Sequence, residues 1–421
     1  MHWKHHTRTG ARVVALAVSL GISASAVAQS AAPARQITLK ELFENAWSQQ
    51  PEAKALPARR DAAQAHRRAA QAWTPEAPAI EASYKTDRIN GNGGARELEY
   101  GLAAPLWLPG ERGAAGALSE AEVAAVESRA AAARLRLAAT VRDAWWGWQR
   151  ASVDVDTARA QLDAARRLAT DVARRAKAGE LARADQNLAD GAVAAAEAAV
   201  AQAEAVATAA RQHVATLLGG AAGSLTTPSA SAEPEPRQQM SDAALSHPAL
   251  DELRDKLSVA SRSADLAARQ SRSNPEIALT TTRDRGVFGE PYGQTVTLAV
   301  RIPLGAGPRQ DARVAAARAD AIETQAQLQL ERARLEAERE AAQARVRAAQ
   351  AQLAAAERRA TLARENRGFY EKSFRLGESD LPTRLRIETE ASDAERQAAR
   401  GRIELAAAVS AWRQVLGLLP E

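Results

Sequence analysis

The stretch Thr295-Val296-Thr297-Leu298-Ala299-Val300-Arg301-Ile302-Pro303-Leu304 decides how this chain folds. Val296, Leu298, Val300, Ile302 and Leu304 take every second position, against Thr295, Thr297 and Arg301 on the alternate ones. Successive side chains of a strand leave on opposite faces, so the pattern makes a ribbon with one apolar and one polar side. Three other segments repeat it. Ile80, Ala82 and Tyr84 oppose Glu81, Ser83, Lys85 and Asp87. Leu98, Tyr100, Leu102, Ala104 and Leu106 oppose Glu97, Glu99 and Gly101, and Ile277, Leu279 and Thr281 oppose Glu276, Thr280 and Thr282. Turn-rich connections, Asn90-Gly91-Asn92-Gly93-Gly94 and Gly286 through Pro291, join the four segments into hairpins over 77–107 and 276–304.

Such apolar faces are covered either by the chain's own helices or by lipid. Segments of about ten residues match tilted strands that cross a membrane. Tyr84, Tyr100, Trp107, Phe288 and Tyr292 lie toward the strand ends, where aromatic girdles sit. Four strands cannot close, and an open edge in lipid leaves its amides unpaired. Membrane barrels need at least about eight strands, so one chain supplies part of a shared barrel, and three copies give twelve strands.

Working outward, the hairpins belong to a duplicated unit. Pro105-Leu106 recurs as Pro303-Leu304, Gly179-Glu180 as Gly377-Glu378, and Leu218-Gly219 as Leu416-Gly417, each displaced by 198 positions. Gln50-Pro51 and His247-Pro248, and Pro75-Glu76 and Pro275-Glu276, are softer matches. The first repeat covers 29–219 and the second 241–421, and the Pro-, Ser- and Gly-rich stretch 220–240 is a linker. Each repeat reads as a helix, a hairpin, a very long helix, a Gly-Glu turn (at 179 and at 377) and a returning helix.

From Gly110 to Gly179 and from Arg309 to Leu376 little breaks a helix. At helical rise these stretches reach on the order of 100 Å. The returning arms, Ala182 to Leu218 and Pro382 to Leu416, are about half as long, so Leu39–Trp73 and Asp242–Asn274 are expected to pack on the remainder. Leu328, Leu335, Ala342, Ala349 and Ala356, with Val346, Leu353 and Ala360, step in heptads. Alanine at such a seam lets helices approach closely. Periodicity alone fits a rod or a hollow tube. Trp145, Trp146, Trp148 and Trp412 are expected in one packed belt.

The N-terminus reads as a signal peptide over 1–28: Lys4, Arg8 and Arg12, an apolar Val13–Ile22, and Ala26-Val27-Ala28. Its removal lowers the formal charge from +5 to +2, so the basic balance implies no nucleic acid. The chain has no cysteine, hence no disulfide, no thiolate metal site and no lipid anchor on cysteine. Beyond the leader His66, His213 and His247 are scattered, and neither a metal site nor a cofactor is expected. No phosphate loop, histidine-carboxylate cluster or activated nucleophile appears, so the chain is not read as an enzyme.

The duplicated unit, the paired hairpins and the segments Lys177-Ala178-Gly179-Glu180-Leu181 and Arg375-Leu376-Gly377-Glu378 resemble the TolC-like outer membrane factor family over nearly the whole exported chain. Leu106-Trp107-Leu108-Pro109-Gly110-Glu111-Arg112-Gly113-Ala114 looks like the strand-to-helix segment of its CzcC-type branch, the outer membrane component of resistance-nodulation-division (RND) efflux systems. Many CzcC-type relatives are lipid-anchored, which this sequence cannot be through cysteine. The resemblance implies a mainly α chain with a small β part. It would form a homotrimer, with a twelve-stranded barrel in outer-membrane lipid above a periplasmic barrel of antiparallel coiled coils. Partners would be a periplasmic adaptor (membrane fusion) protein and an inner-membrane RND-type pump.

Adaptor docking would fall on Ala178, Gly179, Glu180 and Leu181, and on Leu376, Gly377, Glu378 and Leu381. Relatives often place acidic residues six and nine positions after the second tip glycine; here Thr383 and Arg386 stand there, and Asp185 is the nearest acidic candidate for a pore gate. The implied function is a passive duct for heavy-metal cations or drugs. A conduit for type I protein secretion shares the architecture, and a periplasmic coiled-coil structural or adaptor protein is the alternative of another class.

Overall fold

A computed structural model describes residues 37–89, 91–219, 232–236, 247–305 and 307–421. The expected leader and most of the linker lie outside the described residues. The order is α1 (Leu39–Gln49), α2 (Pro51–Ala70), β1 (Ala79–Thr86), β2 (Arg96–Pro105), α3 (Glu111–Lys177), α4 (Arg183–Leu217), α5 (Pro248–Arg269), β3 (Glu276–Arg285), β4 (Gly293–Arg301), α6 (Pro308–Arg375) and α7 (Leu381–Val415).

The first helical stretch does not run unbroken to Trp73. Thr38 and Glu41 open α1 with a reciprocal capping box, but Gln50 is extended (φ −66°, ψ 138°) and Pro51 starts a new helix. Proline has no N–H to donate and its ring crowds the preceding turn, so it begins helices better than it continues them. His247-Pro248 repeats the device: the His247 ring accepts from the Ala249 N–H at 3.2 Å and Pro248 opens α5. Residues 242–246 of the second expected packing helix are outside the described residues.

α3 and α6 run 67 and 68 residues, about 100 Å each at helical rise. α3 is central, touching α1, α2, α4, α5 and α7, whereas α6 reaches it through α5 and α7. The main core packs Leu42, Phe43 and Ala46 of α1 on Val141, Trp145 and Trp148 of α3, with Val214 of α4 and Ile403 of α7. Trp145 and Trp148 meet edge to face, centroids 6.1 Å apart. Trp412 differs from the expected single belt. It packs in its own cluster with Ala342, Val346 and Val409, because alanine on α6 leaves room on that side of α7. Leu328, Ala342, Val346 and Ala360 are buried and no other seam position is exposed. A Cβ on Gly401 of α7 would come within 3.3 Å of Leu353, a measure of how closely these helices approach.

The strands form one antiparallel sheet in the order β1-β2-β3-β4. The β2–β3 pairing, with Leu102 opposite Leu279 and Ala104 opposite Ile277, joins the two hairpins. The register aligns Ile80, Leu102, Leu279 and Leu298 in one row across all four strands. β1 and β4 carry unpaired outer edges.

Candidate functional site: bare sheet, junction and helical tips

The sheet keeps its alternation but not a cover. Ile80 is 83% exposed, Val296 68% and Leu298 67%, and Tyr84, Tyr100, Leu102, Leu279 and Val300 are exposed as well. The opposite face is polar, and Lys85 pairs with Glu97 across the register at 2.7 Å. By about 25 cal/mol per Å² such a face is costly in water. Among the described residues no helix is long and apolar enough to cross a membrane.

Where sheet meets helix, Gly110 adopts φ 78° and turns the chain into α3. Glu111 follows, 1% exposed, and its carboxylate accepts from the Leu108 N–H (3.0 Å), Gln270 Nε2 (2.9 Å) and Asn274 Nδ2 (2.7 Å). Asn274 also donates to the Leu106 carbonyl at 3.0 Å. One buried carboxylate thus fastens the first repeat's junction to the second repeat's α5–β3 connection.

Midway down, Glu233 of the linker is buried between repeats. Arg142 of α3 donates to both its oxygens at 2.9 and 2.7 Å, and Arg413 of α7 lies 3.3 Å away. The Pro234 carbonyl accepts from Arg413 at 3.0 Å.

The far ends of the long helices are built alike. Gly179 (φ 82°) and Gly377 (φ 78°) take the left-handed conformation that glycine favours. The Glu180 N–H then reaches the Arg175 carbonyl and the Glu378 N–H the Ser373 carbonyl, both at 3.0 Å, in the six-to-one bond that closes a helix. Ala178, Glu180, Leu376 and Glu378 are exposed beside these glycines. Leu381 is not: it is buried with Val172, Ala189 and Phe374, and Leu181 packs on the same cluster. Of the expected apolar flanks, only Leu376 (74% exposed) presents a large open side chain. Asp185 accepts from the Ala182 N–H at 3.1 Å and so opens α4. Asp380 accepts from the Thr383 N–H at 3.1 Å, and Arg386 pairs with Glu390 at 2.7 Å.

Three arginines organise this end without having stood out in the sequence. Arg175 donates to the Phe374 carbonyl (3.0 Å), lies 4.9 Å over the Phe374 ring and reaches Glu180 at 3.1 Å, tying the two tips together. Buried Arg384 donates to the Arg367 carbonyl at 3.0 Å and pairs with Glu388 at 3.1 Å, while Arg367 pairs with Glu395 at 3.1 Å. Arg175 sits in the basic run Arg174-Arg175-Lys177, where nothing local separates it from its neighbours. Among the described residues no three histidine or carboxylate side chains converge to hold a metal ion.

Residues 42–220 match the family model for outer membrane efflux protein. No curated protein sequence matches the chain. Solved structures share its fold over nearly its whole length. The outer membrane protein VceC of Vibrio cholerae is 19% identical, with 91% of this chain and 97% of that one covered and a TM-score of 0.72. CusC is 17% identical, covering 91% and 92%, with a TM-score of 0.73. The MtrE outer membrane channel of Neisseria gonorrhoeae is 16% identical, covering 90% and 89%, with a TM-score of 0.71.

Proposed function

We propose that this chain, which matches the outer membrane efflux protein family over its first repeat and has the fold of solved outer-membrane channels, is one of three identical subunits of an efflux duct. The observation that carries the reading is a four-stranded sheet with a largely exposed apolar face, on which only Leu98, Ala104 and Ile277 among the apolar side chains are half-buried, and two unpaired edges. Water would leave that face uncovered, and lipid would leave the edges unsatisfied. Both faults vanish when β1 of one copy pairs with β4 of the next. Three copies then close a twelve-stranded barrel, apolar outside and polar within, as outer-membrane strands require.

The helical part supports the same closure. Leu188 and Val206 of α4, and Ile322, Leu330, Leu362 and Phe369 of α6, are exposed on the helices at the two flanks. Side-by-side assembly sets α6 of one copy against α4 of its neighbour and covers them. The helices then extend the barrel as a periplasmic tube whose lower rim carries the Gly179 and Gly377 turns. At that rim the exposed Ala178, Glu180, Leu376 and Glu378 are the docking surface for an adaptor protein, which couples the duct to an inner-membrane RND-type pump. Asp185, Thr383 and Arg386 lie in the first turns above it and are the candidates for lining a closed entrance.

No step of chemistry is assigned to the duct. Selection and work belong to the pump, so a wall without metal ligands is compatible with metal cargo. The resemblance of 106–114 to the CzcC-type branch favours heavy-metal cations or small drugs. The protein extracted from outer membranes in mild detergent should have the native mass of a trimer, and its deletion should raise sensitivity to members of a metal and drug panel. A soluble periplasmic monomer would overturn the reading.

A further inference from the structure

The lipid-facing side of the sheet does not stay apolar to its loop end. Beyond the row Ala82, Tyr100, Thr281 and Val296 come two more rows on the same face: Tyr84, Leu98, Arg283 and Gln294, then Thr86, Arg96 and Arg285. Three guanidiniums therefore stand on the outward side, at the end of the sheet farthest from the helices. Arg96 and Arg285 are direct cross-strand partners, an arrangement of like charges that costs stability unless something compensates it.

Only one of the three is neutralised. Arg96 pairs with Asp87 at 2.7 Å. Arg283 and Arg285 instead flank the Tyr292 ring, at 4.8 and 4.9 Å, and Arg285 also lies 5.4 Å from the Phe288 ring. Arg285 Nε donates to the Gly94 carbonyl at 3.0 Å, which fixes its plane and leaves its terminal nitrogens free to donate outward. Among the described residues no carboxylate comes within ion-pairing reach of either: Glu290 accepts the Gly286 and Val287 N–H groups, and Asp284 lies on the opposite face. Aromatic rings hold two planar cations in place where an apolar band ends.

We propose that Arg283 and Arg285, held on Tyr292, bind a phosphate of an outer-leaflet lipid headgroup, of the phosphorylated glycolipid class. Guanidinium forks match phosphate oxygens bidentately, and basic clusters at a membrane surface recognise anionic headgroups. A free anion in solution has the same charge, but it lacks the acyl chains that would lie on the adjoining row Ala82, Tyr100, Thr281 and Val296 and on the row Ile80, Leu102, Leu279 and Leu298 beyond it. The alternative is that both arginines merely extend to water past the membrane edge, with no bound partner.

This inference rests on the barrel reading, and the test separates the two. The purified protein in dodecyl maltoside is mixed with bisphosphorylated lipid A, with the same lipid stripped of its phosphates, or with inorganic phosphate alone, and retained lipid is read by native mass spectrometry. The expected result is retention of the phosphorylated lipid, weakened about tenfold (~1.4 kcal/mol) in Arg283→Gln and again in Arg283→Gln/Arg285→Gln. Tyr292→Leu, which keeps both charges, should weaken it less. Equal retention of both lipids, no loss in the variants, or full competition by inorganic phosphate would overturn the lipid site while leaving the duct intact. Insertion into vesicles is checked in parallel, and a chain that stays out of them overturns both proposals.

Discussion

Glu111 shows what a single buried carboxylate does when its partners are neutral. Its three donors come from the Leu108 backbone and from Gln270 and Asn274. Glu111→Ala takes the acceptor from the Leu108 N–H and the Gln270 amide and leaves Asn274 only the Leu106 carbonyl, a loss of roughly 1–3 kcal/mol. A lower midpoint of thermal unfolding in detergent checks it. Glu233 is the harsher case, since its removal leaves buried Arg142 without its carboxylate and buried Arg413 with only Glu421. Glu233→Ala should cost about 3–5 kcal/mol, the scale for a broken buried pair. Replacing all three by apolar residues should restore much of it, which a denaturant titration of both variants reads.

His247 adds a pH dependence. Burial holds its imidazolium form down, with Arg339 in the same direction and Asp251 and Glu338 opposing, so its value lies below the ordinary 6.5. The neutral ring caps α5, so the stabilisation is complete above 6.5 and falls as pH drops through the lowered folded value. His247→Asn keeps a cap without a titrating group and should flatten the stability profile between neutral and mildly acidic pH. None of these residues was legible in advance. Glu111 lay inside a recognisable segment, but its partners are 159 and 163 positions away. Glu233 sat in a stretch whose composition says only that it links.

At the scale of elements, the strands were legible because alternation is a local property, and their register carries the apolar row across the sheet. The glycine landmarks of the repeat were legible for the same reason: Gly179, Gly219, Gly377 and Gly417 all adopt positive φ at helix ends. The break at Gln50 was missed because the residues on either side keep helical propensity, and only Pro51 marks it. The apolar flanks expected at the tips divide, Leu376 standing exposed and Leu381 buried. Leu381 faces inward because Asp380 caps α7 and aims its first turn at Phe374.

The two faces of the sheet give a paired expectation. Leu279→Arg, in the centre of the exposed apolar row, should cost about 2–4 kcal/mol of folding in lipid. Thr297→Arg, on the polar face one rung away, should cost little. Equilibrium unfolding in vesicles distinguishes them, and equal penalties would mean that lipid does not contact one face alone.

At the scale of the whole molecule, the single chain leaves much apolar surface uncovered. Its sheet has two open edges, its outward face is bare, and its flanking helices α4 and α6 keep apolar side chains in water. Each chain supplies two hairpins and two tips, so the proposed trimer would carry a ring of six similar units at its rim. What could not be read locally is closure itself, because a heptad seam has the same period in a rod and in a tube.

The natural absence of cysteine gives a direct test of closure. Single cysteines at Glu81 or Ser83 of β1 are combined with others at Thr295, Thr297 or Ala299 of β4, all on the polar face, and oxidised in outer membranes. Within one chain β1 and β4 are separated by two strands, about 14 Å across the sheet, too far for a disulfide. The expected result is a covalently closed trimer on denaturing gels for the pair that matches the inter-chain register. Monomers throughout the scan, with every cysteine still reactive, would contradict the shared barrel.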